Sequence, residues 1–84
     1  MVGTEIIARR TYRDSSGEFS VGLRQPYRDG DDWFCDVFTE GLGDEAVSVG
    51  GVDALQAIRL TLEVVDAIVE SRPGAESMGI NGIF

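Results

Sequence analysis

The chain has 84 residues, seven basic against fifteen acidic side chains, a net charge of −8 at pH 7, one cysteine and no histidine. That length is one domain with a modest core, residues 1–84, and a net negative field opposes binding to phosphate backbones, so nucleic acid is not an expected partner. Without histidine, and with Cys35 alone, Ser-His-Asp and Cys-His catalysis and thiolate zinc sites are excluded, so neither an enzyme nor a resident metal or cofactor is expected.

In chain order, residues 5–13 predict a strand with Ile6, Ala8, Arg10 and Tyr12 on one face and Ile7, Arg9, Thr11 and Arg13 on the other. Asp14-Ser15-Ser16-Gly17 is a turn cluster. Residues 18–25 alternate more cleanly, and Phe19, Val21 and Leu23 should face the core. Residues 26–32 read as a polar loop. Residues 33–40 predict a third strand, with Trp33, Cys35 and Val37 opposite Phe34, Asp36 and Phe38, and residues 45–49 a short fourth.

The helix, about 53–71, carries the clearest signal. Asp53, Gln56, Arg59, Glu63, Asp66 and Glu70 recur at three- and four-residue spacing and form one polar stripe. Leu55, Ile58, Leu62, Val65 and Val69 form one apolar row, and Ala57, Thr61, Val64 and Ile68 a second. An apolar arc wider than about 100° needs cover on more than one side. Asp53 and Gln56 make a capping-box pattern at the start, Gly50-Gly51 suits a sharp entry, and Pro73 stops the helix. The tail, 75–84, is apolar at Met78, Ile80, Ile83 and Phe84 and should dock on the domain or on a second copy. The fold class expected is α+β, an antiparallel meander of about four strands followed by one long helix packed on one face.

Candidate sites are weak. Asp29, Asp31 and Glu40 match three positions of a calcium loop, but Trp33 and Phe34 occupy places that need a ligand and a glycine. Neither Gly41-Leu42-Gly43 nor Gly50-Gly51 makes a phosphate cradle, since the first lacks a following helix and the second leads to Asp53. Cys35 reads as a core thiol. Arg9, Arg10 and Arg13, with Tyr12 between, suit cross-strand pairing with carboxylates.

Ala8-Arg9-Arg10, Val21-Gly22-Leu23 with Pro26, and Trp33-Phe34-Cys35 are suggestive together with Gly41-Leu42-Gly43 and the helix entry Gly51-Val52-Asp53-Ala54-Leu55-Gln56-Ala57. The pattern resembles a domain-of-unknown-function family of small bacterial proteins, over most of the chain up to the helix end. The resemblance implies a compact sheet-plus-helix domain and supplies no activity.

One helix cannot cover both faces of a sheet. Phe34, Phe38, Val64, Ile68, Ile83 and Phe84 are therefore the expected self-association surface, and the chain itself is the expected partner in a homodimeric interaction or structural module. The alternative is an immunity-like inhibitor of a basic protein such as a toxin, which the net charge would attract. No window approaches the ~20 apolar residues of a membrane span and no leader is recognisable, so no membrane partner and a cytoplasmic location are expected.

Overall fold

The computed structural model describes residues 5–43, 47–72 and 74–77. The chain order is β1 (Ile6–Asp14), β2 (Gly17–Arg24), β3 (Tyr27–Asp29), β4 (Asp32–Glu40), β5 (Ser48–Gly51), α1 (Ala54–Glu70) and β6 (Glu76–Ser77). It is an α+β fold: β1, β2, β4 and β5 form an antiparallel meander, and one helix packs on one face of it.

Two segments depart from the sequence expectation. Residues 26–32 are not simply a loop. Tyr27, Arg28 and Asp29 pair with Phe34, Trp33 and Asp32, so β2 and β3 form one hairpin arm against β4. The arm breaks at Gln25-Pro26, and the register changes by one residue there, because proline has no N–H to give to a ladder. The fourth strand lies at Ser48–Gly51, later than 45–49, and residues 44–46 fall outside the described residues. Gly50 and Gly51 are thus strand residues. A β-carbon at Gly51 would lie 2.6 Å from the Ala57 nitrogen, so this glycine lets the first helical turn seat directly on β5.

The capping signal is realised with one difference. The Asp53 carboxylate accepts from the Gln56 N–H at 2.8 Å, while Gln56 Oε1 reaches back to the Val52 N–H, also at 2.8 Å, one residue before the cap. At the other end Ser71 caps the helix, its N–H donating to the Ala67 carbonyl. The chain then crosses back so that Tyr12 and Arg13 of β1 pair with Ser77 and Glu76 of β6. The start of the tail therefore docks on its own sheet; Met78, Ile80, Ile83 and Phe84 lie outside the described residues.

The core sits between the helix and β2–β4. Phe19, Val21, Leu23, Cys35, Val37 and Ala57 are buried, with Ala8, Trp33 and Ile58 packed around Leu23, Cys35 and Ala57. Each well-buried aliphatic side chain contributes about 1.5–3 kcal/mol. Of the two apolar helix rows, the one holding Ala57 and Thr61 supplies the fully enclosed side chains, and Ile58 of the other packs beside them. The buried Thr61 hydroxyl is satisfied by donating to the Ala57 carbonyl at 2.6 Å. Burial pushes the Cys35 thiol above its ordinary range, and its Sγ donates to the Arg24 carbonyl at 3.3 Å. These features make it a packing residue rather than a nucleophile.

A polar latch ties the helix end to the β1–β2 turn. The Arg72 guanidinium lies 5.3 Å from the Phe19 ring centroid and 3.9 Å from Asp14 Oδ2. Asp14 also accepts from the Ser16 hydroxyl at 2.6 Å and the Ser16 N–H at 2.8 Å. The Ser16 hydrogen bonds, and then the Arg72 charge, hold the carboxyl below its ordinary range. A depressed folded pKa stabilises the fold above the unfolded value and loses that contribution as pH falls through the folded one. Comparing urea midpoints of wild type and Asp14→Asn across pH should therefore show a gap near neutrality. That gap should close as the pH drops below about 4; a gap that stays constant to pH 2 would show that the charge of Asp14 contributes nothing.

Candidate interaction surface

The helix covers β4 and β5, reaches β2, and leaves the helix-side face of β1 largely uncovered. That offset opens a groove of about 330 Å³ between β1 and α1. Its floor is Ala8, Val21 and Leu23, its β1 wall Arg10 and Tyr12, and its helix wall Leu62, Val65 and Asp66. Tyr12 stacks on Phe19 with ring centroids 5.4 Å apart, which fixes that wall. Arg10 leans on Tyr12, its guanidinium 3.4 Å from the phenol oxygen.

The exposed apolar side chains gather on this side of the helix and at the start of β1. Leu62 is 46% exposed and Leu55 80%, both from the outer apolar row, and Ile6, Ile7 and Val52 are exposed as well. On β1 a bulge between Ile6 and Ala8 breaks the strand alternation. The simple face assignment therefore ends at Ala8, and neither Ile6 nor Ile7 is drawn into the core.

Of the residues expected at a self-association surface, the four described ones, Phe34 and Phe38 on β4 and Val64 and Ile68 on α1, do not line this groove. Phe38 is only 9% exposed although it lies on the face away from the helix, and the Arg24 guanidinium sits 5.4 Å from its ring centroid. Phe34 is half-buried and stacks on Tyr27 at 5.9 Å. The far face is further dressed by the Thr11–Ser20 hydroxyl bond at 2.9 Å, the Arg13–Glu18 ion pair at 3.0 Å, and Asp36, which accepts from Ser48 and from Tyr27. Val64 and Ile68 are half-buried, and Ile68 lines a smaller hollow with Thr39 and Leu42. Ile83 and Phe84 lie outside the described residues. The side chains missed as surface, Leu55 and Leu62, were visible in sequence as members of the outer apolar row; nothing in the sequence said which row would be left out.

Asp29 and Asp32 pair across the β3–β4 hairpin beside Asp31, with all three carboxylates exposed. Among the described residues no group of acidic, histidine or cysteine side chains is placed to hold a metal, and no helix is long and apolar enough to cross a membrane.

A family model described as Domain of unknown function (DUF6968) matches residues 8–79. No curated protein and no solved structure matches the chain.

Proposed function

We propose that this chain, which belongs to the family of domains of unknown function DUF6968, is a homodimeric interaction module of the bacterial cytoplasm. The observation that carries this role is the offset of the helix, which leaves Leu62 about half exposed beside an open groove. Apolar surface of this kind, bordered by charged side chains, is what interfaces use. A small domain without disulfide or metal also gains stability by association. The net charge of −8 makes nucleic acid a poor partner.

Sedimentation velocity at micromolar concentration is expected to give a species of twice the 9.1 kDa chain mass. A single species of monomer mass would overturn the role.

A second role, an immunity-like inhibitor of a basic protein such as a toxin, is supported by the outward carboxylates Glu63, Asp66 and Glu70 along α1. It becomes the better account if the chain is monomeric and retains a basic protein at low salt that high salt releases.

A further inference from the structure

We propose that the partner seated on the β1–α1 groove is a second copy of this chain, with Leu62 of each copy against the other's groove and Arg10 of each opposite Asp66 of its mate. The pairing presupposes the homodimer proposed above and names its surface.

Two copies of a chain with net charge −8 repel, so a contact between them must set cation against anion. An isologous contact adds a condition: the same patch must carry both signs, placed so that a two-fold rotation brings one onto the other. The groove meets it. Arg10 stands on the β1 wall and Asp66 on the helix wall, both exposed, and neither is in an ion pair with another described residue. Leu62, Val65 and Ala8 line the same groove and supply the apolar surface such a patch needs.

Arg59 lies on the polar stripe of α1 and does not line the groove, and three further arginines are engaged inside the chain. Arg13 pairs with Glu18, Arg28 donates to the Gly30 carbonyl at 3.0 Å, and Arg72 belongs to the helix latch. The β1 backbone is a poor alternative contact, because the bulge at Ile7 and the occupation of Tyr12 and Arg13 by β6 both oppose addition of a further strand. The contact is therefore side chain to side chain: the apolar groups supply affinity, and the two Arg10–Asp66 pairs fix the register.

A charge swap tests this. Arg10→Asp and Asp66→Arg are made separately, and each is checked for wild-type circular dichroism, which two exposed positions should preserve. Each alone sets like charges against each other twice and is expected to weaken self-association roughly a hundredfold, leaving monomer where wild type is dimer. An equimolar mixture restores both opposite-charge pairs in one heterodimer, and dimer mass should return. Charges paired only within one chain cannot be rescued by mixing. Monomeric wild type would overturn the homodimer itself. Dimeric wild type with both single variants still dimeric would overturn the groove as the contact and leave the homodimer standing. Monomeric variants that stay monomeric when mixed would overturn the Arg10–Asp66 pairing.

Discussion

Gly22→Ala is expected to lose about 3 kcal/mol of stability, the upper end of what overpacking costs. Gly22 lies in β2, opposite Arg9 of β1 and Phe38 of β4, in a stretch buried from Phe19 to Leu23. A β-carbon there would lie 2.7 Å from the Arg9 Cα and inside the contact distance of the Ala8 carbonyl oxygen. Both obstacles are backbone, and neither can rotate away as a side chain would. β1 must shift, and the bulge beside it and the Tyr12–Phe19 stack must shift with it. For a domain of this size the loss corresponds to roughly 12–24 °C in Tm. Thermal unfolding followed by circular dichroism checks it; a Tm within about 4 °C of wild type, equivalent to less than 1 kcal/mol, would show that the two strands separate at little cost.

Phe38→Ala carries the second large effect, about 3 kcal/mol, the lower end for truncating a buried phenylalanine. The side chain alternates away from the helix, so sequence pattern alone assigns it to an association surface. Its 9% exposure and the Arg24 guanidinium near its ring support a role in the fold. The two assignments differ in what they lead one to measure. A residue of the fold lowers the urea midpoint of the folded chain and leaves the dissociation constant of the dimer unchanged once the fraction unfolded is taken into account. An association residue would weaken the dimer and leave the unfolding of the monomer alone. An unchanged urea midpoint measured below the dimer dissociation constant would return Phe38 to the surface.

Much of the architecture was legible in the residues because local chemistry decided it. The Asp53 and Gln56 side chains name the helix start wherever the helix lies, since the N–H groups they satisfy are their own neighbours. Phe19, Val21 and Leu23 alternate at the strand period and are buried together. The family resemblance agreed with the sheet-plus-helix form and with the family match, and neither supplies an activity. By contrast, Tyr27-Arg28-Asp29 has too few residues and too little apolar pattern to announce a strand. It is one because Phe34, Trp33 and Asp32 present an edge to pair with. Gly50-Gly51 read as a sharp turn into the helix because a glycine reserved for close approach to Ala57 looks, in one dimension, like a glycine reserved for a turn.

The candidate surface divides along the same line. By itself the sequence determined that the helix is apolar on two rows and polar on one, because a residue's position on the helix wheel follows from its number alone. It determined equally that any contact between copies must overcome a charge of −8. Only the tertiary structure decided which row is spent on the core. The helix lies across β4 and β5 and turns Ala57 and Thr61 inward with Ile58 beside them, so Leu55 and Leu62 stay outside and β1 is left with a largely uncovered face. That choice depends on where the sheet ends relative to the helix axis. It is set by strand pairings between residues far apart in the chain, which no local pattern encodes.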